Sequence, residues 1–317
     1  MAKQVVSSVV TPASRAARWP VPLLPLLAVA LAASSCVGLH DVPWSMRGWN
    51  GHVQPFRIAG NIHYVGTENM GIFLFTTPEG HILLDSGFEK NVPDLRRNVE
   101  ALGFRFQDIK ILIASHAHID HVQGHALVRQ LTGAHVLASA EDAPVIASGG
   151  KGDWAYGTAF AWVPCPVDGV IKDGERVVLG DTALVAHLTP GHTKGATTWT
   201  TTVEDGGRTL DVVFYPSGNV PPKAKLVNNP DFPTVAEEFQ RSFARWRELP
   251  CDIFLGAHAS FFRMEPKRKR LAAGEQPNPF IDPAGYKKAI DDAEKKFKDA
   301  LASQQAPHTS EPGAPVP

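Results

Sequence analysis

The chain has 317 residues, with 31 Lys and Arg against 32 Asp and Glu and a formal net charge of −1. That balance excludes a strongly basic nucleic-acid binder and an acidic tail protein, because neither surplus of charge exists. Three cysteines exclude a disulfide scaffold and a four-thiolate zinc site. No apolar run of spanning length lies beyond the N-terminal region, which excludes a multi-span membrane protein.

Lys3, Arg15 and Arg18 precede an apolar stretch from Val21 to Ala33, and Ser34-Ser35-Cys36 follows. Residues 1–35 therefore read as a signal peptide, and the expected location is periplasmic or secreted. Cys36 stands where a bacterial lipoprotein carries its lipid, but Ala33-Ser34-Ser35 lacks the usual aliphatic residue. A lipid anchor and ordinary cleavage both stay open. Outside the cytoplasm Cys165 and Cys251 are the only mature pair available for a disulfide. Residues 36–55, with Pro43, Trp44, Gly48, Trp49 and Pro55, read as an irregular lead-in.

Short apolar runs at Ile62 to Val65, Ile72 to Thr76 and Ile82 to Asp85, with a Pro78-Glu79-Gly80 turn, predict an antiparallel start. Asn91 is expected to cap a helix carrying Leu95, Val99 and Leu102 on one face and closed by Gly103. A strand at Ile109 to Ala114, a helix at Asp120 to Leu131, a strand at Val136 to Ala138 and a short helix at Glu141 to Ala147 follow. Residues 148–166 interleave glycines with Trp154, Tyr156, Phe160 and Trp162. They read either as a lid or substrate wall or as a loop whose rings tuck into the core. Strands are predicted at Arg176 to Leu179, Ala183 to Leu188, Thr197 to Val203, Leu210 to Tyr215 and Ile253 to Leu255. Helices are predicted at Ala236 to Leu249 and Tyr286 to Leu301. Lys267 to Arg270 reads as a solvated basic surface, and residues 304–317 as a disordered tail. Each half runs strands, helix, strand, helix, an α/β pattern that fits two face-to-face sheets with helices outside.

The chemistry concentrates in Ser115-His116-Ala117-His118-Ile119-Asp120-His121, at the end of a buried strand. Three imidazoles and a carboxylate in so short a segment suit divalent zinc. His116 and His118 are two apart and point the same way from extended backbone, while Asp120 and His121 follow the turn and face a second point. Two metals fit that geometry better than one. His192, in Thr189-Pro190-Gly191-His192-Thr193, and His258, in Gly256-Ala257-His258, also stand at strand ends. Six ligands then divide into two sets of three, each leaving an open position for water or substrate. His125, His135 and His187 read as satisfied histidines on elements.

The segment carries the signature of the metallo-β-lactamase superfamily, and the chain from about Phe56 to Met264 more closely resembles subclass B3. The matching stretches are Ile82-Leu83-Leu84-Asp85-Ser86-Gly87, the 115–121 cluster, Pro190-Gly191-His192-Thr193, and Arg241-Ser242-Phe243-Ala244 leading to Leu249-Pro250-Cys251-Asp252. The resemblance implies a four-layer αββα sandwich over residues 56–303 with the site in the cleft between sheet edges. It implies one zinc on His116, His118 and His192 and a second on Asp120, His121 and His258. The implied activity is β-lactam hydrolysis by a metal-bound hydroxide that Asp120 orients. Ser217 stands where glyoxalase-type members carry a bridging aspartate, and in B3 enzymes a serine there helps bind the substrate carboxylate. Asn219 holds a second polar position of that loop, and Asp85 is an orienting group behind the ligands. Two divalent ions against a single carboxylate leave the site positive, toward an anionic β-lactam as the small-molecule partner. Trp44, Trp49, Trp154 and Tyr156 are the expected walls, and the chain is expected to be a monomer without nucleic acid or a membrane span. The chain departs from B3 in having no cysteine after Cys251 to pair with it, and in carrying Pro216 before Ser217. A related hydrolase of lactones, thioesters or phosphoesters, and an exported zinc-binding protein without catalysis, are the rival readings.

Overall fold

The structure, a computed structural model, describes Met46 and residues 49–306. Residues 1–35, expected as a signal peptide, Cys36, Trp44 and the residues beyond Ala306 lie outside the described residues.

Seven strands form the first sheet in chain order: β1 (Phe56–Ala59), β2 (Ile62–Tyr64), β3 (Phe73–Thr77), β4 (Gly80–Leu84), β5 (Ile109–Ile113), β6 (His135–Ser139) and β7 (Gly169–Ile171). Pairing is antiparallel from β1 to β4 and parallel from β4 to β7. The change of direction has a local cause. Tight turns join β1 to β2 and β3 to β4 and a loop over residues 65–72 joins β2 to β3, whereas parallel neighbours need crossovers, and those are supplied by α1 (Val92–Ala101), between β4 and β5, and by α2 (Ile119–Val122) and α3 (His125–Thr132), between β5 and β6. The second sheet runs in the order β12 (Ile253–Gly256), β11 (Arg208–Tyr215), β10 (Thr197–Asp205), β9 (Thr182–Leu188) and β8 (Arg176–Leu179).

Side-chain alternation builds two cores. On β3 and β4, Phe73, Phe75, Ile82 and Leu84 face the second sheet and meet Trp199, Phe214 and Leu184, while Leu74 and Leu83 face outward. Phe214 sits edge-on to Phe73 and Phe75 with ring centroids 5.0 and 5.1 Å away. The outward set packs beneath Leu95 and Val99 of α1, Val128 of α3 and Ile146 of α4 (Ala143–Ser148). On the far side, α5 (Val235–Glu248) and α7 (Pro283–Gln305) cover the second sheet with Phe239, Phe243, Trp246, Tyr286 and Phe297. A sheet buried on both faces needs near-continuous apolar strands, which is what these strands carry. The result is the expected αββα sandwich.

Several expectations need correction. The single helix from Asp120 to Leu131 is broken after α2, because Ser86 and Gly87 N–H groups take the His121 carbonyl and Gly124 N–H turns to the Gly87 carbonyl. A Cβ on Gly124 would come within 3.0 Å of the Ser86 oxygen. The Asn91 side chain makes no capping bond; α1 is entered through a short turn at Glu89–Asn91 with proline in its first turn. The basic run lies on α6 (Met264–Ala272), and Lys267 is only 4% exposed, its Nζ 2.8 Å from Asp282 Oδ2. The tail begins later than expected: α7 continues to Gln305, and the Gln304 amide bonds the backbone of Ala224 and Leu226. Cys165 and Cys251 are free and belong to opposite sides of the first sheet. Among the described residues no helix is long and apolar enough to cross a membrane.

Candidate metal centre

Strand β5 delivers the histidine segment. Its exit is tied to the second sheet, because Trp199 Nε1 donates to the Ala114 carbonyl (3.0 Å) and Thr197 N–H to the Ser115 carbonyl (2.8 Å). His192 follows β9 in a turn closed by Gly191 N–H on the Thr193 carbonyl. The turn needs Gly191, whose φ is +140° and whose added Cβ would strike the Phe239 ring at 2.7 Å. Ser242 of α5 donates to the Pro190 carbonyl (2.7 Å) and fixes the turn from outside. His258 follows β12 and is held in register by backbone bonds from Gly71 to Ala257 (2.8 Å) and from Ala259 to Asn69 (2.7 Å).

These loops bring the six expected residues together. One ligand atom from each of His116, His118 and His192 lies within 4.8 Å of the others, and the same holds for Asp120, His121 and His258; each trio could hold a metal ion. His116, His118, Asp120 and His121 are buried, while His192 and His258 are partly exposed, His258 at 13%.

Partners that can only accept fix the ring tautomers. His192 Nδ1 donates to the Asn219 carbonyl (2.6 Å), so Nε2 carries its lone pair. His118 Nε2 lies 3.3 Å from the Asp153 carboxylate without a hydrogen bond to it. His118 Nδ1 is 3.1 Å from His192 Nε2 and donates to that lone pair. Asp85 organises the rest. Its Oδ1 accepts Ser115 N–H (2.7 Å), and its Oδ2 accepts the Ser115 hydroxyl (2.7 Å) and His121 Nδ1 (3.1 Å). The Ser115 hydroxyl in turn accepts His116 Nδ1 at 3.0 Å. His116, His118 and His121 are each left with a buried Nε2 that has no hydrogen-bond partner. Orphaned imidazole nitrogens are costly to bury, and a cation beside those of His116 and His121 removes the cost. The donor set fits divalent metal.

The electrostatics agree. Burial drives His116 well below the usual histidine range, His192 down to about 3 and His258 down to about 4, with neighbouring imidazoles adding to the effect. Burial opposes charge on His121 too, but Asp120 and Asp85 outweigh it and lift it to about 10. Burial likewise disfavours the Asp120 anion, yet His121, His258 and His118 hold its carboxyl far below the usual range. The protein thus offers neutral imidazoles and an ionised carboxylate, with one proton on His121 that metal binding would release.

The centre forms the floor of a cavity of about 500 Å³. Ser217 and Asn219 line it, and Ser217 Oγ accepts Asn219 N–H (3.2 Å), which frees the hydroxyl proton for a ligand. Tyr156 lines it with its ring 5.1 Å from His118, and Trp49 lies edge-on to His258 at 5.3 Å. Trp154 does not line this cavity. It is 7% exposed, packs on Phe232 and donates Nε1 to the His192 carbonyl (3.2 Å), so its role is to support the turn. The glycine-rich segment therefore does both things open to it: Trp154 and Trp162 are buried in the two cores, Trp162 also reaching the cavity, while Tyr156 and Phe160 line the cavity. Two carboxylates escaped the sequence reading. Buried Asp142 accepts Ala117 N–H (2.8 Å), the Thr193 hydroxyl (2.9 Å) and Gly195 N–H (3.0 Å), clamping the His116–His118 loop to the His192 loop. Burial raises it to about 6 against those bonds. Asp153 is the second. Neither has a sequence signal beyond the turn chemistry that any Asp in a loop shows.

The set-aside histidines are not all satisfied. His187 bonds Thr200 and Arg245, whereas buried His125 bonds Ser86 through Nδ1 (2.7 Å) and has no partner at Nε2. His135 is exposed.

The family model described as the metallo-beta-lactamase superfamily matches residues 71–258. Native FEZ-1 metallo-beta-lactamase from Legionella gormanii is 44% identical, with 81% of this chain and 98% of that one covered and a TM-score of 0.79. BJP-1, a subclass B3 metallo-beta-lactamase of Bradyrhizobium japonicum, is 34% identical over 82% and 98% of the two chains with a TM-score of 0.77. LRA-12, a class B3 di-zinc metallo-beta-lactamase from an Alaskan soil metagenome, is 32% identical over 79% and 95% with a TM-score of 0.76. A match across more than half of the chain, and near-complete cover of solved B3 structures, place the chain in the metallo-β-lactamase superfamily, within its B3 subclass.

Proposed function

We propose that this protein is an exported β-lactamase that hydrolyses the β-lactam amide bond with two zinc ions, one held by His116, His118 and His192 and the other by Asp120, His121 and His258. The observation that carries the reading is the convergence of two trios of ligand atoms, each within 4.8 Å of one another, with the buried Nε2 nitrogens of His116 and His121 left without a hydrogen-bond partner among them. The di-zinc B3 neighbour supports the metal and its count. The reading includes removal of residues 1–35, a periplasmic or secreted location and a contribution to antibiotic resistance.

Zinc in these positions supplies Lewis acidity, polarising an amide carbonyl and acidifying water. The chain's own residues do the rest. Asp120 is ionised, and the oxygen that faces neither imidazole accepts an O–H of the attacking water and orients it. Asp85 holds His116 and His121 in the tautomers that present Nε2. The hydroxyl of Ser217 and the amide of Asn219 meet the substrate carboxylate. Tyr156, Phe160 and Trp49 cover apolar substrate parts and exclude water, which strengthens the charge interactions inside.

The test is steady-state turnover of a penicillin, a cephalosporin and a carbapenem by the zinc-loaded protein, with lactone, thioester and phosphoester substrates in parallel. β-Lactam turnover lost on chelation and regained with Zn²⁺ is expected. Hydrolysis confined to the other esters would replace the substrate assignment, and two bound zinc ions without any hydrolysis would leave a zinc-binding protein.

A further inference from the structure

We infer that Asp153 is a positioning residue that couples the three-histidine metal position to the aromatic wall of the cavity through a single carboxylate. The inference rests on the proposed function in taking His118 as a metal ligand.

The two oxygens of Asp153 have different tasks. Oδ1 accepts the N–H groups of Ala155 (2.8 Å) and Tyr156 (2.6 Å). The Asp153 carbonyl closes the same turn by accepting Gly157 N–H at 2.8 Å. This turn sets the Tyr156 ring against His118, centroids 5.1 Å apart. Oδ2 faces His118 Nε2 at 3.3 Å, and both side chains are 7% exposed, so little water competes. The outer partner of an imidazole decides which nitrogen keeps its lone pair and where the ring points. Here that partner also shapes the substrate wall. Coupling of this kind is reciprocal: a cation on His118 Nδ1 holds the ring toward Asp153 and steadies the turn, and a disturbed turn loosens the ring.

Asparagine separates the two tasks. In Asp153→Asn the amide oxygen still serves Ala155 and Tyr156, since Asn suits such turns. With a cation on Nδ1 the His118 proton is on Nε2, and the NH₂ group would meet it donor against donor. The clash is relieved only if His118 moves its proton to Nδ1, the nitrogen the metal needs. Asp153→Ala removes both functions.

The experiment strips the whole chain of metal and titrates it with Zn²⁺ against a chromophoric chelator, while amide hydrogen exchange follows Ala155 and Tyr156. For Asp153→Asn the expectation is a loss of about 10–100-fold in affinity for one of the two zinc ions, with those amides still protected. Asp153→Ala should show the same loss together with faster exchange at both amides. Two zinc ions bound to Asp153→Asn with unchanged affinities would overturn the inference and leave the proposed function intact. A wild-type chain that binds no zinc would contradict the proposed function itself.

Discussion

Asp85→Ala removes the one carboxylate that sets the tautomer of a residue in each metal trio. Three donors lose their acceptor: Ser115 N–H, the Ser115 hydroxyl and His121 Nδ1–H, all on residues no more than 4% exposed. The hydroxyl can rotate to another acceptor, so two donors are left fixed and unpaired. At about 1–3 kcal/mol each, the metal-free fold loses about 2–6 kcal/mol. For a domain of this size about 1 kcal/mol moves Tm by roughly 2–4 °C, so the drop is at least ~4 °C. The affinity effect is wider. His121 loses its direct partner and His116 its relay through Ser115, so both zinc ions should weaken, each by about 10–100-fold. Ser115→Ala cuts only the branch to His116 and should weaken the three-histidine position alone. Thermal unfolding of the stripped protein and zinc titration of the three chains measure both effects. An Asp85→Ala protein that binds both ions with wild-type affinity would refute the reasoning.

Ser217→Ala should raise KM for carboxylated β-lactams by about 10-fold or more, the worth of a hydrogen bond to a charged group, and change kcat much less; an equal fall in kcat would move Ser217 from binding to chemistry. His125 predicts an acid weakness. Burial and His121 hold it down to about 3, against an ordinary value of 6.5, so the unfolded chain binds more protons between those values and stability falls as pH drops through that window. At pH ~4.5 this group alone costs about 3 kcal/mol relative to neutrality; urea unfolding of His125→Leu should lose that part of the pH dependence, and an unchanged slope would assign it elsewhere. Asp142→Ala frees the clamp between the two histidine loops, and slower zinc uptake with weaker affinity at the three-histidine position is the expected readout by chelator competition.

The strands, most of the helices and the cluster of candidate ligands were legible because each has a local signal. The continuous apolar run Phe73 to Phe75 reports a strand buried on both faces, and three imidazoles with a carboxylate at a strand end point to a metal site whatever surrounds them. What stayed hidden depends on long-range partners. Lys267 reads as surface because nothing near it in sequence announces Asp282 or the Phe280 ring beneath its ammonium. The helix that starts at Ile119 breaks because Ser86 and Gly87, some thirty-five residues away, claim its carbonyl. Asp142 and Asp153 are ordinary loop acids until folding sets one between two histidine loops and the other against His118. Trp154 and Tyr156 are two residues apart, yet one supports the His192 turn and the other lines the cavity, a division decided by which side of the turn faces the metal site.

Anomalous diffraction at the zinc edge from crystals grown in excess Zn²⁺ bears most directly on the metal centre. Two peaks should appear, one among His116, His118 and His192 and the other among Asp120, His121 and His258. A single peak, or a pair of peaks with His192 or His258 turned away from both, would contradict it.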